Sequence, residues 1–280
     1  MKFISYAQNF EDFMLWRALK QVRCGFYIDV GAGNPVSDSV TKWFYDNSWS
    51  GINIEPILKA HENFIRKRPR DVNLNVMASN KEGLGDFYEC NMDAFSTSTN
   101  KNIEELEKEF KLEYKKTKKN AKTLEAICEE NKVSEVNFLK VDVEGSELKV
   151  LQGLSFAKVR PWVVLFEAVK PFHQDVDVSQ DCVIYLKSKN YHQVYYDGLN
   201  KFFVADEHKE LDTAFKAPLN IFDYPFMKLN PSHWLLHETV VEKDQIIQNR
   251  EREIEMMKSS KFWNIREKYI SLKNKFKIRE

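Results

Sequence analysis

Along the first 205 residues, apolar positions occur either in short continuous runs or at every third or fourth position, and the two patterns alternate. Short apolar runs, rich in β-branched and aromatic residues, predict five buried strands. These strands are expected at 26–30, 52–55, 72–78, 136–142 and 161–167. Residues 87–90 predict a short additional strand, and 191–196 with 201–205 predict a closing hairpin across the turn at 197–200.

Segments with apolar residues at every third or fourth position lie between these runs and predict helices. They are expected at 10–20, 39–47, from Pro56 onward, 123–131, 146–154 and 183–189. Pro56 suits a first helical position, and Leu58, Phe64 and Ile65 are expected to form the apolar side of its helix. Strands that alternate with helices predict an α/β fold, in which a mostly parallel sheet carries helices on both faces.

Residues 91–122 interrupt this alternation because they are polar and dense in charge. Such a segment predicts a solvated helix and loop, and a loop that covers a substrate is the alternative.

The pattern changes again after Pro231. Apolar residues there recur near every seventh position, at Leu236, Val240, Ile247, Ile254 and Met257. Lys243 and Arg250 occupy two seam positions, so the segment predicts a helix and an imperfect coiled coil. Residues 258–280 are basic, with interleaved aromatic and aliphatic residues. We therefore expect two domains, an α/β domain at 1–230 and a helical, basic amphipathic tail at 231–280.

The composition is that of a globular protein, with 43% hydrophobic and 13% aromatic residues. Lys plus Arg and Asp plus Glu both number 42, so net charge gives no reason to expect nucleic acid as a partner. The four cysteines lie far apart, which does not indicate zinc and fits a reducing compartment. Glu11 and Asp12 interrupt the amino terminus before an apolar core forms, so no secretory signal is expected and the predicted location is cytoplasmic.

Acids follow or end four of the predicted strands, at Asp29, Glu55, Asp142 and Glu167. The first strand is followed by the turn Gly31-Ala32-Gly33, which suits either a nucleotide-type cofactor or an ordinary strand-to-helix connection. A third glycine and basic residues are absent from this turn, which disfavours a pyrophosphate. An acid before the turn could hold an ammonium group, and Glu55 could accept hydrogen bonds from a ribose. These features favour S-adenosylmethionine over NAD, although Glu55 could also be a simple turn acid before Pro56.

Several motifs, in this order, resemble one known family. They are Ser5-Tyr6-Ala7-Gln8-Asn9-Phe10-Glu11-Asp12, the stretch 25–35, Asp38-Ser39-Val40-Thr41-Lys42, the stretch 49–56, Leu139-Lys140-Val141-Asp142-Val143-Glu144-Gly145-Ser146-Glu147, Pro161-Trp162-Val163-Val164 and Asp197-Gly198-Leu199-Asn200. Together they are similar to the FkbM family of S-adenosylmethionine-dependent methyltransferases. The resemblance covers about residues 5–225.

The resemblance implies a Rossmann-like class I methyltransferase sheet of seven mostly parallel strands. It also implies methyl transfer to an oxygen, commonly a sugar hydroxyl. The cofactor residues that the motifs carry over lie along the cofactor from its methionine end to its adenine. They are Asp29, Gly31 and Gly33 at the methionine side, Asp38 and Ser39 over the cofactor, Glu55 at the ribose, Ser79 and Asn80 near the adenine, and Asp142 where cofactor and acceptor meet.

A sugar hydroxyl attacks poorly unless a base takes its proton. The candidate catalytic residues are Asp142, Glu144, Glu167 and His173. Glu144 could instead cap the following helix, and His173 could be an ordinary loop residue. A divalent cation held by Asp142, Glu144 or Glu167 would be another way to lower the pKa of the acceptor, although no ligand spacing demands it.

The predicted function is that of an S-adenosylmethionine-dependent O-methyltransferase acting on a saccharide hydroxyl, in surface glycan or nucleotide-sugar biosynthesis. The alternatives are a catalytically silent, methyltransferase-like scaffold of a glycan assembly complex and an NAD-dependent enzyme on the same fold. The tail at 235–280 is expected to contact a glycosyltransferase or the inner face of the membrane, and a solvated terminal helix is the alternative.

Overall fold

Fourteen strands and eight α-helices are defined in the computed structural model, which describes residues 3–101, 103–223, 227–229, 234–263, 265–266 and 268–270. The strands are β1 Phe3–Ser5, β2 Phe26–Val30, β3 Ser50–Ile54, β4 Val72–Leu74, β5 Met77–Ala78, β6 Gly83–Cys90, β7 Tyr114–Lys122, β8 Phe138–Val141, β9 Val163–Glu167, β10 Val169–Lys170, β11 His173–Asp177, β12 Tyr191–Tyr196, β13 Asn200–Ala205 and β14 Met227–Leu229. The helices are α1 Glu11–Leu19, α2 Lys42–Asp46, α3 Leu58–Lys67, α4 Ile103–Phe110, α5 Leu124–Glu130, α6 Glu147–Gln152, α7 Gln180–Ser188 and α8 Trp234–Ser259. Two 3-10 helices lie at Asp93–Phe95 and Asp206–Phe215.

Seven of the strands form one sheet in the order β12-β13-β9-β8-β2-β3-β4. Neighbouring strands from β9 to β4 are parallel, and β13 is antiparallel to both of its neighbours. The predicted α/β fold with a mostly parallel seven-stranded sheet is confirmed, and so is the predicted hairpin of β12 and β13.

The two faces of this sheet bury separate cores, because successive side chains of a strand point to opposite faces. Ile28 and Val30 belong to the core that includes residues of α5, α6 and α7. Tyr27, from the same strand, belongs to the core that includes residues of α1 and α2. The chain order reverses between β2 and β8, and open α/β sheets bind ligands outside the carboxyl ends of strands at such a point.

A second sheet, in the order β5-β7-β6, corrects two predictions. The predicted strand at 72–78 is divided, because Val72–Leu74 pairs with β3 whereas Met77–Ala78 pairs with β7. The segment 91–122, predicted to be a solvated helix and loop, contains the helix α4 but also the nine-residue strand β7, which pairs with β6 from Cys90 to Gly83. Most residues of β7 are polar, so the strand depends on its pairing with β6 and, at Ala121 and Lys122, with β5. Local pattern gave no indication of these pairings.

The helix predicted from Pro56 starts at Leu58 instead. Glu55 accepts a hydrogen bond from Ile57 N, which keeps Pro56 and Ile57 in a turn. Within α3, Ala60 and Phe64 are buried, whereas the predicted apolar residues Leu58 and Ile65 are exposed.

The chain divides into two compact units, 1–230 and 231–280. The second unit contains α8, in which the heptad residues Ile247, Ile254 and Met257 are exposed. The side chains of Leu236, Val240 and Lys243, and all of 271–280, lie outside the described residues. Among the described helices, none combines the length and the apolar character that crossing a membrane requires.

Candidate active site

A cleft of about 420 Å³ lies at the carboxyl ends of β2, β3, β8 and β9. This volume is within the range of small-molecule sites, about 300–1,000 Å³. Seven of the residues predicted from the sequence line it, namely Gly31, Gly33, Asp38, Glu55, Asp142, Glu144 and Glu167.

The turn after β2 requires glycine at position 31. Gly31 has φ +70°, and a Cβ there would lie 1.7 Å from the carbonyl oxygen of Asp142. Gly33 also has a left-handed φ, +61°, but no atom lies within 4 Å of the position that its Cβ would take. The backbone at Gly33 is therefore open to a ligand, whereas Gly31 permits close contact between β2 and β8.

Glu55 connects the turn after β2 to the turn after β3. Its carboxylate accepts hydrogen bonds from Gly33 N at 2.9 Å and from Ile57 N at 2.8 Å. Burial raises the pKa of Glu55 to about 7, and those two hydrogen bonds oppose the rise. Each carboxylate oxygen keeps further acceptor capacity towards the cleft.

Asp29 is buried and is not among the residues that line the cleft. Its Oδ2 accepts a hydrogen bond from Thr41 Oγ1 at 2.9 Å, and its Oδ1 lies 3.3 Å from Lys140 Nζ. Lys140 pairs with it in register across β2 and β8. Direct contact between Asp29 and a ligand, as predicted from the motif, therefore has no support in this geometry; Asp29 acts on the cleft through Lys140.

Lys140 joins the two halves of the cleft, a role that the sequence did not indicate. Its Nζ donates to Gly31 O at 2.7 Å and lies 3.3 Å from Asp142 Oδ2 as well as from Asp29. Burial opposes the charge of Lys140, but the carboxylates of Asp142 and Asp29 raise its pKa above the usual value.

Arg68, at the end of α3, is fully buried and holds the segment that follows the glycine turn. It donates to Pro35 O at 2.9 Å and to Ser39 Oγ at 2.9 Å, and it lies 3.8 Å from Asp71. Ser39 therefore faces Arg68 and not the cleft, whereas Asp38 lines the cleft. The run Arg66-Lys67-Arg68-Pro69-Arg70 is typical of a solvated segment, so the sequence concealed this role.

Ser79 and Asn80 are not among the residues that line the cleft, and their position near the adenine stays a prediction. The ladder of β5 continues through Ser79 N to Lys122 O, and Asn80 bonds Gln152 instead. Apolar residues line this end of the cleft, including Ile57, Met77, Ala78 and Phe87.

Three predicted catalytic residues lie together at the other end. One carboxylate oxygen from each of Asp142, Glu144 and Glu167 lies within 4.8 Å of the other two. Burial, with repulsion from Asp142 and Glu144, raises the pKa of Glu167 to about 11. Burial, with repulsion from Asp142 and Glu147, also raises the pKa of Glu144, and among the described residues no donor reaches its buried Oε2.

The alternative role for Glu144 as a helix cap is wrong. Ser146 occupies the N-cap position of α6. Glu147, not Glu144, accepts the hydrogen bonds of the preceding turn, from Val143 N at 3.2 Å and Gly145 N at 3.0 Å to its Oε1. Glu144 has φ +55°, a left-handed conformation that is unusual for this residue type.

The three carboxylates fit the predicted divalent cation, since Mg²⁺ and Ca²⁺ prefer oxygen ligands. A cation bound there would lower the pKa of an acceptor hydroxyl. This cation stays a prediction.

His173, the fourth candidate base, is not among the residues that line the cleft. It begins β11, where its Nε2 lies 3.8 Å from Glu105 and its ring contacts Phe110. Glu105 is already bonded to Lys170, at 2.7 and 2.8 Å. These surroundings do not favour the catalytic role of His173, and the residue begins a strand, whereas the alternative prediction was an ordinary loop residue.

The cleft has two further walls, of which the second lies within 91–122, the segment for which a loop that covers a substrate was the alternative prediction. One contains Gln8 and Glu11 from the amino-terminal motif, where Glu11 accepts hydrogen bonds from Asn9 N at 2.8 Å and Asn200 Nδ2 at 2.9 Å. Burial, chiefly, raises the pKa of Glu11 to about 8. The other wall, which we call the roof segment, is residues 93–98. The motif around Glu11 was the available signal, but nothing in its pattern showed that it folds against β13.

The fold is a doubly wound α/β fold with a cleft at the carboxyl edge of its sheet, the place where open α/β sheets bind ligands. A family model described as the methyltransferase FkbM domain matches residues 29–195, which is more than half of the chain. The chain therefore belongs to the FkbM methyltransferase family, as the motifs predicted. No curated protein matches the chain. The family supports methyl transfer over the NAD-dependent alternative.

Proposed function

We propose that this protein is an S-adenosylmethionine-dependent O-methyltransferase whose acceptor is a saccharide hydroxyl. The observation that carries the proposal is the difference between the two ends of one cleft. Glu55 and the open glycine turn lie at one end, and the group formed by Asp142, Glu144 and Glu167 lies at the other.

The cofactor fits the residues at the first end. The open backbone at Gly33 permits close approach, and Glu55 has acceptor capacity for ribose hydroxyls. Met77, Ala78 and Phe87 supply apolar surface for an adenine ring. When bound, S-adenosylmethionine supplies a methyl group on a positively charged sulfur, and a cleft rich in carboxylates favours that charge.

At the second end, Asp142, Glu144 and Glu167 would orient an acceptor hydroxyl, and whichever of the three is ionised would take its proton. The raised pKa values of Glu144 and Glu167 favour their protonated forms near neutral pH. Lys140 holds Asp142 by charge, with its Nζ 3.3 Å from Asp142 Oδ2. Holding the acceptor close to the methyl group accounts for much of the expected acceleration.

Calorimetry with S-adenosylhomocysteine and with NAD tests the cofactor directly. We expect S-adenosylhomocysteine to bind and NAD to give no heat of binding. Binding of NAD without any response to S-adenosylhomocysteine would overturn the proposal.

We also propose that the tail binds an anionic membrane surface. Lys258, Lys261 and Lys268 accompany the exposed side chains of Phe262 and Tyr269, a combination typical of interfacial helices. The full-length protein should sediment with phosphatidylglycerol vesicles and not with phosphatidylcholine vesicles. The full-length variant Lys258→Gln, Lys261→Gln, Lys268→Gln should lose this binding; equal sedimentation of both proteins would contradict the proposal.

A further inference from the structure

The charges around the cleft discriminate between kinds of acceptor. Seven carboxylates line it, at Glu11, Asp38, Glu55, Asp93, Asp142, Glu144 and Glu167. The lining cations in the described part of the chain are Lys59 and Lys140. Lys140 is already engaged by Asp29, Asp142 and Gly31 O, and Lys59 is exposed on the first turn of α3.

A phosphate would be repelled by those of these acids that are ionised. A further negative charge is already disfavoured here, since burial and neighbouring acids raise the pKa values of Glu144 and Glu167. Phosphate sites in proteins use arginine, lysine or the backbone amides of a helix amino terminus. The lining residues include no arginine among those described, and Glu55 occupies the amide of Gly33. A neutral hydroxyl or a protonated amine meets no such repulsion, because carboxylates accept hydrogen bonds from both.

The roof segment is held firmly beside the acidic turn. Thr97 and Tyr88 exchange backbone hydrogen bonds of 2.8 and 3.0 Å. Thr97 Oγ1 donates to Glu144 O at 2.7 Å, and Ser98 Oγ donates to Ser146 Oγ at 2.7 Å. These contacts join the segment that carries Phe95 to the turn that carries Glu144.

Phe95 brings an aromatic ring to the lining of the cleft. Its ring stacks on Phe172 at 4.5 Å and 25°, and Phe172 stacks on Phe110 at 4.0 Å and 13°. This stack fixes the orientation of Phe95, which lines the cleft and also packs against the apolar cluster of Cys90, Leu106 and Leu112. An apolar wall that is joined to a carboxylate wall suits a ligand with one apolar face and a rim of hydroxyl groups.

We infer that the acceptor is a sugar ring without phosphate, either neutral or amino-bearing, which packs its apolar face on Phe95 and directs its hydroxyls to the carboxylates. The inference rests on the proposed function and narrows it. Of the two predicted acceptor classes, it selects a glycan over a nucleotide sugar.

Saturation-transfer NMR on the full-length protein with S-adenosylhomocysteine tests this inference. The probes are methyl glycosides of neutral hexoses, methyl glycosides of 2-amino-2-deoxyhexoses and the matching UDP-hexoses, each with and without Mg²⁺. We expect transfer to glycosides of the first two classes and none to the UDP-hexoses. Binding of UDP-hexoses in either condition, or binding of no glycoside, would overturn the inference.

Two variants sharpen the test. Phe95→Ala should weaken glycoside binding by about three- to tenfold while Phe95→Tyr, which keeps the ring, preserves it. Calorimetry on the same samples should give unchanged S-adenosylhomocysteine affinity in both variants. If the unmodified protein does not bind S-adenosylhomocysteine, the proposed function itself is refuted. If Phe95→Ala binds glycosides as well as the unmodified protein does, only this inference is refuted.

Discussion

Lys140 is the residue on which both ends of the cleft depend, because it bonds the glycine turn and separates two carboxylates. Lys140→Met would leave Asp29 buried without its cation. Removing one partner of a buried pair costs about 3–5 kcal/mol. We therefore expect a lower free energy of unfolding by about 3 kcal/mol in urea titrations, together with weaker S-adenosylhomocysteine binding. Lys140→Arg, which keeps the charge, is the control and should recover part of both losses; full stability of Lys140→Met would contradict this role.

Substitution of the two glycines of the turn should have different effects on stability and cofactor binding, although both glycines have positive φ. Gly31→Ala should abolish cofactor binding and lower the melting temperature strongly, since its Cβ would overlap Asp142 O. Gly33→Ala should lose only about 1–2 kcal/mol of stability, because its cost is confined to the backbone conformation. Thermal unfolding with calorimetry of S-adenosylhomocysteine compares them, and equal melting temperatures would refute the distinction.

Glu55 predicts a pH dependence of binding. Its pKa is about 7 in the free protein, and hydrogen bonds donated by ribose hydroxyls favour the ionised carboxylate. Ligand binding therefore lowers this pKa, and affinity must rise with pH through about 7. Adenosine, which has the ribose but no amino acid group, should bind about tenfold more tightly at pH 8 than at pH 6.

The control for this prediction is Glu55→Gln, which cannot ionise and should bind adenosine weakly at both pH values. An affinity that falls with pH, or the same tenfold change in Glu55→Gln, would show that another group is responsible.

At the scale of elements, the contact between the roof segment and the acidic turn is the feature to test. Ser98→Ala removes the hydrogen bond to Ser146 and should expose the amides of 93–98 to faster hydrogen exchange, measured by mass spectrometry. The expected cost is about 1 kcal/mol. Ser188→Ala, at an exposed position on α7, is the matched control. If the two variants exchange alike in 93–98, the roof segment is held by other contacts.

The elements differ in how far their local sequence predicts them. β2, β8 and β9 were predictable because strands buried on both faces are continuous apolar runs. β7 was not, because its lysines are solvated and its register comes from β6. The division of 72–78 depended on the partner that each half finds, which no local pattern carries.

The residues of the site also divide into those that the local sequence predicts and those that it does not. Glu55, Asp142 and Glu167 were predictable because they end strands whose carboxyl ends meet at one edge. Contacts between segments distant in sequence bring Phe95 and Glu11 to the site and Arg68 to its supporting loop. Short pairings hold His173 and Asn80 elsewhere, in β11 and beside Gln152.

At the scale of the whole molecule, family membership establishes a methyltransferase, and the cleft supports a positively charged cofactor beside a neutral or amino-bearing acceptor. Both proposals rest on the same lining, in which acidic side chains lie along the cleft and apolar side chains lie at each end. We propose that the group of Asp142, Glu144 and Glu167 serves methyl transfer to a sugar hydroxyl.

The most direct measurement is methyl transfer from isotope-labelled S-adenosylmethionine to a panel of methyl glycosides, followed by mass spectrometry. The unmodified protein should yield a labelled methyl ether, and the double variant Glu144→Gln, Glu167→Gln should form it at least about 100-fold more slowly while still binding S-adenosylhomocysteine. No labelled ether with any glycoside, or an undiminished rate in the double variant, would contradict the account.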